Sequence, residues 1–353
     1  MLVVAAMSGG VDSSVAAALC AERHGPASVV GVALRLSNTP EGKERSGKTC
    51  CAPDDLYDAR RAAATLGIRF YVHDARETFQ REVIDDFVGA YALGRTPNPC
   101  VRCNDHVKFD WLLERARRLG AGELITGHYA RVEARPDGSF ALLRARDASK
   151  DQSYFLHGLS QDALRLVRFP LGELTKTEVR QLARDRKLPN ADKPESMEVC
   201  FVEGQELGTF LEAHGVAKAQ GEVVDVSGKV LGTHQGVHRY TVGQRRGLGL
   251  SHPLPLYVAA LDPAHQRVVV GTEAEASRSE FVAEDARWTH AAPRDGDACE
   301  VQIRHRGKPL AARVEREGTR VQVKLATPAP GVAPGQSAVF YRGDEVLGGA
   351  RIV

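Results

Sequence analysis

A glycine turn at residues 8–14, Ser-Gly-Gly-Val-Asp-Ser-Ser, constrains the fold of this chain more than any other stretch. The apolar run Leu2–Ala6 before it is typical of a strand, and the alanine-rich run Val15–Leu19 after it favours a helix. A helix that starts at a glycine turn presents unpaired backbone N–H groups and a partial positive charge, which attract phosphate. Gly9 and Gly10 lack a Cβ, so the backbone can approach an anion closely. The sequence therefore predicts a phosphate-binding loop between a strand and a helix.

The side chains of this loop indicate which kind of phosphate-binding loop it is. Ser8, Ser13 and Ser14 add hydroxyl donors, whereas the carboxylate of Asp12 would repel phosphate unless a Mg²⁺ ion lies between them. No Gly-Lys-Ser/Thr follows, and Gly-x-Gly-x-x-Gly is absent, so the Walker and dinucleotide fingerprints are excluded. The pattern resembles the pyrophosphate loop of the ATP pyrophosphatases, which adenylate a substrate and release pyrophosphate. The alternative is an ordinary glycine turn.

Strand-like and helix-like segments then alternate as far as residue 126. Strands are predicted at Val29–Leu36, Ile68–Val72 and Glu123–Thr126, and helices at Asp55–Leu66, Phe79–Leu93 and Trp111–Leu119. Such alternation predicts a parallel sheet covered by helices, whose ligands bind at the carboxyl ends of the strands. Leu34 and Gly127 lie at such ends. His128 follows, either as a substrate contact or as a satisfied, partly buried histidine.

The length, charge and cysteine content of the chain limit its domain number and its cellular compartment. A chain of 353 residues is long enough for two or three domains. No apolar run is long enough to span a bilayer, and the first residues do not resemble a signal peptide. The net charge of +2 indicates little about partners. Seven cysteines without the spacing of a disulfide scaffold favour a reducing compartment, so we expect a cytoplasmic protein.

The pair Cys100-x-x-Cys103 is the clearest candidate for thiol chemistry. Prolines at 97 and 99 are expected to keep a helix from forming there, and Cys103 precedes a stretch that becomes helical. Arg102 and Lys108 lie near in sequence, and positive surroundings raise the thiolate fraction of a cysteine. Redox, metal and nucleophilic roles all remain open at this point, although a zinc site would need two more ligands.

The other cysteines are less distinctive. Cys200 is a third candidate, with a buried thiol as the alternative. Cys50 and Cys51 lie in a polar loop, Ser37–Ala52, and are interpreted as unpaired thiols. Cys20 and Cys299 are interpreted as small core residues.

Six stretches together make the chain similar to the tRNA-specific 2-thiouridylases, which sulfurate the wobble uridine of certain tRNAs. The stretches are Ala6–Ser14, Thr96–Asn104, Gly127–Ala130, Lys150–Leu156, Glu195–Phe201 and Arg239–Gly249. The resemblance implies an ATP-dependent enzyme that adenylates the uracil C2 oxygen. Its expected cofactors are ATP and Mg²⁺. Its expected partners are tRNA and a persulfide donor, either a cysteine desulfurase or a sulfur-relay protein, and no membrane is involved.

The resemblance also implies site residues. Cys200 is expected to carry a persulfide, and Cys103 to act as the nucleophile that releases the sulfur or resolves the intermediate through a transient disulfide. ATP is expected at Ala6, Met7, Ser8, Gly9, Gly10, Val11, Asp12, Ser13, Leu34 and Gly127. The target base is expected at Asn98, Pro99 and Cys100. The expected tRNA contacts are His128, Lys150, Asp151, Gln152, Arg304, His305, Arg306 and Gln336.

One departure opens a second mechanism. Many members of the family have Asp where this chain has Cys100, and an Asp could act as a general base. Three thiols, Cys100, Cys103 and Cys200, would suit an iron–sulfur cluster if they converge. We therefore hold a persulfide relay and a cluster-based transfer as two variants.

The second half predicts two further domains. Helix Gln205–His214 and short strands at Glu222–Val226 and Val230–His234 belong to a central α+β linking domain, 205–278. Six strand signals after Phe281 predict a C-terminal β-barrel, 279–353. The preceding 1–204 is the ATP-pyrophosphatase domain with a Rossmann-like parallel sheet. Arg239–Gly249 is either a phosphate-binding segment or a solvated basic turn.

Three other functions compete. Another ATP pyrophosphatase would share the loop at residues 8–14, an RNA-binding module would have a vestigial loop, and a thiol redox protein would need only Cys100 and Cys103. The presence of an intact loop together with Cys103 and Cys200 argues against the last two.

Overall fold

The computed structural model describes residues 1–36, 53–195, 199–202 and 205–353. The predicted polar loop with Cys50 and Cys51 lies outside these residues, as do Ser196, Met197 and Glu198 of the Glu195–Phe201 stretch. The chain divides into two compact units. The first comprises Met1–Val83, Cys100–Gly204 and Asp344–Val346, and the second comprises Ile84–Pro99, Gln205–Gly343 and Leu347–Val353.

A five-stranded parallel sheet forms the centre of the first unit. Its strands are β1 (Leu2–Ala6), β2 (Val29–Arg35), β3 (Arg69–Asp74), β4 (Ala121–Ile125) and β7 (Val167–Arg168), in the order β3-β2-β1-β4-β7. Strand β1 is flanked on both sides, and Val3, Val4 and Ala5 are almost wholly buried, as expected for a central parallel strand. The predicted parallel sheet is confirmed. A hairpin of β5 (Arg131–Ala134) and β6 (Phe140–Leu143) pairs with Glu345 and Val346 of the same unit.

Helices cover this sheet. They are α1 (Val11–His24), α2 (Pro53–Thr65), α3 (Arg76–Phe79), α5 (Pro99–Arg102), α6 (Leu113–Arg118), α7 (Gln161–Leu166) and α8 (Lys176–Asp185), with π-helical turns at Gln80–Ile84 and Cys103–Leu112. The spacing of Thr175 and Glu178 predicts a capping box, and helix α8 begins with one. None of the helices among the described residues is long and apolar enough to cross a membrane.

The expectation that the prolines exclude a helix at Cys100 is wrong. Helix α5 begins at Pro99, and the helical backbone continues through Cys103 into the π-helical segment Cys103–Leu112. Proline has no N–H to lose at a first helical position, and its fixed φ suits that position, so Pro99 starts the helix instead of preventing it.

The second unit contains helix α4 (Asp85–Ala92), helix α9 (Leu207–Ala213), the short α10 (Glu273–Ala276) and two sheets. The smaller sheet has the order β10-β11-β8-β9, formed by Tyr257–Asp262, Arg267–Gly271, Gly221–Asp225 and Val230–His234. The larger follows the order β12-β15-β14-β13-β16-β17, and β12 also pairs with β17, which closes a six-stranded barrel. Its strands are β12 (Ser277–Trp288), β13 (Ala298–Gln302), β14 (Leu310–Glu317), β15 (Arg320–Pro330), β16 (Ser337–Arg342) and β17 (Glu345–Ile352). The predicted C-terminal barrel is confirmed.

Candidate nucleotide and sulfur-transfer site

Gly9 is packed so tightly that only glycine fits. Its φ is +79°, in the left-handed region, and a Cβ there would overlap the carbonyl oxygen of Asp55 and lie 2.7 Å from its carbonyl carbon. The carbonyl oxygen of Gly9 accepts a hydrogen bond of 2.9 Å from Nδ2 of the buried Asn190. Asn190 Nδ2 also donates to Ser14 Oγ at 2.9 Å. Helix α2, through Asp55, and the turn after α8, through Asn190, therefore pack against the backbone of the loop.

The three serines of the loop, which the sequence identifies as hydroxyl donors, differ in their burial and hydrogen bonds. Ser14 is fully buried, and its hydroxyl donates to Gly10 O at 3.1 Å. Ser13 Oγ donates to the same oxygen and accepts from the N–H of Ser8 at 3.1 Å. Ser8 alone of the three is exposed. The hydroxyl of Ser8 donates to Ser13 Oγ at 3.2 Å. All three hydroxyls thus take part in hydrogen bonds that shape the loop.

Two predicted nucleotide contacts have side chains in the core. Met7 and Val11 are 2% and 5% exposed, so they can meet ATP only through their backbone. Gly127 packs directly against the loop, because a Cβ at this position would lie 2.6 Å from the backbone nitrogen of Ser13. Leu34 lies at the carboxyl end of β2, and Met7 N donates to Val32 O of that strand at 2.8 Å. The loop and the end of β2 are therefore adjacent, as the sequence predicts.

Asp12 is paired with a cation that the sequence interpretation overlooked. Lys176 Nζ lies 2.7 Å from Asp12 Oδ1 and 2.9 Å from Oδ2. The hydroxyl of Tyr129 donates to Asp12 Oδ1 at 2.8 Å. Burial and the neighbouring charge of Asp12 raise the pKa of Tyr129, so its phenol stays protonated as a donor. The carboxylate in this anion-binding loop is thus balanced by an ammonium group.

The ion pair extends to the segment that leads to Cys200. Lys176 Nζ lies 2.8 Å from Glu195 Oε1, and Lys150 Nζ lies 2.6 Å from Glu195 Oε2. Burial alone would raise the pKa of the Glu195 carboxyl, but the hydrogen bonds and charges of the two lysines outweigh it and lower that pKa to about 2. Glu195 is therefore ionised at any physiological pH, and it connects the loop residue Asp12 with Lys150.

Sequence reasoning missed Asn190, Tyr129 and Lys176 as site residues. The spacing of Thr175 and Glu178 indicates a capping box. That motif puts Lys176 in the first turn of a helix but does not indicate which residue Lys176 contacts. Tyr129 stands in the Gly127–Ala130 stretch and was available as a signal, since a tyrosine after a strand end can reach the loop. Asn190 carries no such signal.

Three residues that are expected to contact tRNA make internal hydrogen bonds in the described structure. Asp151 accepts hydrogen bonds from Arg144, from the N–H of Ala145 and from Ser153. Gln152 Oε1 accepts from the N–H of Tyr129 at 3.0 Å. His128 Nδ1 lies 2.8 Å from Thr126 Oγ1, and burial, with Lys108 nearby, keeps its pKa well below the usual value. A neutral His128 supplies no positive charge for phosphate.

The sequence neighbours of Cys103 and Cys200 contact one helical segment. Arg102 donates through Nε to Glu82 O at 3.2 Å. The ring of Phe201 packs edge-on against Phe79, with centroids 5.8 Å apart. Phe79 and Glu82 lie one turn apart on the helical run that includes residues 76–84. Cys103 is buried, Cys200 is half-buried and Cys100 is exposed.

The three cysteines do not fit an iron–sulfur cluster. Among the described residues, which include all three cysteines, no group of three or more His, Cys, Asp or Glu side chains is arranged to hold a metal ion. A cluster needs at least three such ligands within bonding distance. The cluster variant is therefore not supported by the arrangement of the donors, and we derive no step through it.

Comparison with known proteins decides the family. Residues 1–204 match the tRNA methyl transferase HUP domain, 208–272 the tRNA methyl transferase PRC-barrel domain and 278–352 the aminomethyltransferase beta-barrel domain. The chain is 51% identical to the tRNA-specific 2-thiouridylase MnmA of Geobacter metallireducens, over 99% of this chain and 96% of that protein. The chain belongs to the tRNA-specific 2-thiouridylase family.

Two further thiouridylases agree. Identity is 46% to the protein of the same name from Geotalea uraniireducens, over 99% of this chain and 94% of the relative. It is 48% to that of Acidothermus cellulolyticus, over 100% and 97%. The resemblance drawn from the six stretches is therefore confirmed over the whole length, and so is the predicted fold class of a parallel-sheet domain followed by a small middle domain and a barrel.

In this thiouridylase, basic residues of the second unit fall into two environments. Arg304 and Arg306 are exposed on a tight turn after β13, closed by a hydrogen bond of 3.0 Å from Gly307 N to Arg304 O, with His305 between them. Arg239 is instead paired with Glu206 at 2.7 Å and Glu212 at 2.6 Å. The turn at 304–306 therefore exposes two guanidinium groups, whereas the guanidinium of Arg239 is engaged in two ion pairs.

Proposed function

We propose that the protein is an ATP-dependent sulfurtransferase that replaces the C2 oxygen of the wobble uridine by sulfur in tRNAs of the Lys, Glu and Gln type. Membership of the thiouridylase family gives the activity. The observation that carries the mechanism is structural: one unit holds a phosphate loop with the Asp12–Lys176 pair, and it also places the neighbours of Cys103 and Cys200 on one helical run. We keep 1–204, 205–278 and 279–353 as the proposed domain division.

The first step is adenylation. The uracil O2 attacks the α-phosphorus of ATP, an O–P bond forms, and the bond to the β-phosphate oxygen breaks, which releases pyrophosphate. We assign the binding of the leaving phosphates to the N–H groups at the start of α1 and to the exposed residue Ser8. Lys176 Nζ, 2.7 Å from Asp12 Oδ1, offsets the charge of the carboxylate that would otherwise repel the phosphates. The O2 atom, a poor leaving group, becomes part of AMP.

Mg²⁺ fits this site as a companion of ATP. It binds through one or two carboxylates plus phosphates and water, and Asp12 supplies one carboxylate at the loop. Bound there, it would neutralise phosphate charge. The pairing of Asp12 with Lys176 and Tyr129 orients that carboxylate in the described structure.

The second step is sulfur transfer. The terminal sulfur of a persulfide on Cys200 attacks uracil C2. The Cys103 thiolate then attacks Cys200 Sγ, so that the old S–S bond breaks, a Cys103–Cys200 disulfide forms, and the electron pair stays with the transferred sulfur. Expulsion of AMP from C2 leaves 2-thiouridine. A thiol reductant reopens the disulfide, and an external persulfide donor reloads Cys200.

The remaining predicted residues have supporting environments. The exposed Cys100 and the neighbouring Asn98 and Pro99 are proposed to meet the target base, which must leave the anticodon stack. Arg304 and Arg306, with His305, are proposed to contact tRNA phosphates. The sulfur donor and a cytoplasmic location stay predictions.

The test is direct. The protein is incubated with ATP, Mg²⁺, a persulfide donor and unmodified tRNAs for Lys, Glu and Gln, and mass spectrometry looks for 2-thiouridine. We expect Cys200→Ser and Cys103→Ser each to abolish the product, and Cys50→Ser to leave it unchanged. Thiolation that survives Cys200→Ser would refute the persulfide role, and 4-thiouridine or 2-thiocytidine as the product would assign a different ATP-dependent thiolase.

A further inference from the structure

A turn beside the barrel holds the backbone that leads to Asn98. The N–H of Thr96 donates to the carbonyl oxygen of Pro334 at 2.7 Å. Gln336 Nε2 donates to the carbonyl oxygens of Thr96 at 2.9 Å and Pro97 at 3.4 Å. These residues all belong to the second unit. The backbone just before Asn98 is therefore bound at three polar atoms by residues 334–336.

The turn is itself fixed to the last strand. The N–H of Gly335 donates to Ile352 O at 2.8 Å, and the N–H of Ile352 donates to Gln336 O at 2.9 Å. Gly335 has a φ of +92°, and a Cβ on it would lie 3.0 Å from the N, C and O atoms of Thr96. The glycine lets the turn and the segment lie in direct backbone contact.

Proline makes this attachment effective. Pro97 and Pro99 have fixed φ angles, and Thr96 and Asn98 each precede a proline, which restricts them to extended conformations. Helix α5 begins at Pro99. When the carbonyl oxygens of residues 96 and 97 are held, little torsional freedom is left in the backbone before the helix, so the position of the Asn98 backbone is fixed.

The amide of Gln336 has two N–H donors, and the two carbonyl oxygens account for both. We propose that Gln336 is a positioning residue that orients the target-base segment Thr96–Pro99, and that it does not act by binding tRNA phosphate. The inference rests on the proposed function, because that function assigns Asn98 and Pro99 to the target base.

The first test is Gln336→Met, which keeps the size of the side chain and removes both donors. Misplacement of a reacting group by about 1 Å costs up to ~10²-fold in rate, so we expect kcat for thiolation to fall about 10- to 100-fold with KM for tRNA within about twofold. Arg304→Met, at a proposed phosphate contact, should raise KM and leave kcat nearly unchanged. A raised KM with normal kcat in Gln336→Met would assign Gln336 to tRNA binding and overturn the inference.

A second pair of variants leaves Gln336 intact. Gly335→Ala pushes a Cβ against Thr96, whereas Gly343→Ala has a similar positive φ of +60° and no atom within 4 Å of the new Cβ. Both variants carry the backbone strain, and only the first disturbs the segment. We expect a lowered kcat in Gly335→Ala alone. Equal kcat values in the two variants would contradict the inference.

Hydrogen exchange separates this inference from the proposed function. In Gln336→Met the amide of Thr96 should exchange faster than in the wild type, because its segment is held less firmly. This readout needs no substrate. Absence of 2-thiouridine with the wild-type protein would refute the proposed function alone, and unchanged exchange at Thr96 in Gln336→Met would refute the positioning role alone.

Discussion

The replacement Gly9→Ala tests the packing of the phosphate loop most sharply, because the chain provides a matched control one residue away. At Gly9 the φ is +79°, and a Cβ would overlap the backbone of Asp55. At Gly10 the φ is −81°, and the nearest atom to a Cβ is Ser8 Oγ at an ordinary 3.6 Å. The same change is therefore strained at the first glycine and tolerated at the second.

The magnitude follows from two terms. A left-handed backbone costs an L-residue about 1–2 kcal/mol. Relief of the overlap with Asp55 requires a backbone shift, for which overpacking typically costs about 1–3 kcal/mol. Together they destabilise the protein by about 2–5 kcal/mol, and for a domain of roughly 150–250 residues each kcal/mol lowers Tm by about 2–4 °C. We expect Gly9→Ala to lower Tm by roughly 4–20 °C and Gly10→Ala to leave it within about 2 °C.

Thermal unfolding followed by circular dichroism measures this effect without substrate. A second scan with ATP and Mg²⁺ checks the function of the loop, because a ligand that binds only the folded state raises Tm. That shift should be present in the wild type and diminished in Gly9→Ala. Equal Tm values for the two alanine variants would refute the packing argument, and an undiminished ATP shift in Gly9→Ala would refute the role of Gly9 in shaping the nucleotide site.

Three further outcomes are expected. Lys176→Met leaves the carboxylates of Asp12 and Glu195 without their shared cation, so kcat/KM for ATP should fall about 100-fold. The control Lys324→Met, at a surface ion pair, should change kcat/KM for ATP by less than about twofold. The pKa of Glu195 in the folded protein lies below its usual 4.5, so the ionised carboxylate stabilises the fold fully above pH 4.5, and this stabilisation is lost as the pH falls toward about 2. The urea midpoints of the wild type and Glu195→Gln should therefore converge on acidification. A constant difference between the two midpoints would contradict this. Burial raises the pKa of the Cys299 thiol to about 11, so peptide mapping after iodoacetamide treatment at pH 8 should show the exposed Cys100 alkylated and Cys299 protected.

Features that depend on neighbouring residues are readable from one chain. The strand Leu2–Ala6, the glycine turn, the capping box at Thr175 and the six strands of the barrel all follow from periodicity, glycine and caps within a few positions. Local rules also explain the error at Pro99. Proline disfavours helix interiors but favours first positions, and the sequence pattern alone does not state which position it takes.

The residues that complete the site come from far along the chain. Lys176 pairs with Asp12 across 164 positions, and Asn190 donates to Gly9 O across 181. From the sequence, the carboxylate of Asp12 indicated only a Mg²⁺ ion, and the folded chain adds the ammonium group of Lys176 beside it.

The sequence by itself determined the phosphate loop, the parallel sheet, the barrel and the family, because each leaves a local pattern or a set of short motifs. The tertiary structure alone decided which distant side chains meet the loop, which of its serines are buried, and that Gln336 holds Thr96 across 240 positions. The physical reason is that such contacts depend on sheet order and on packing, which bring together residues that share no pattern along the chain.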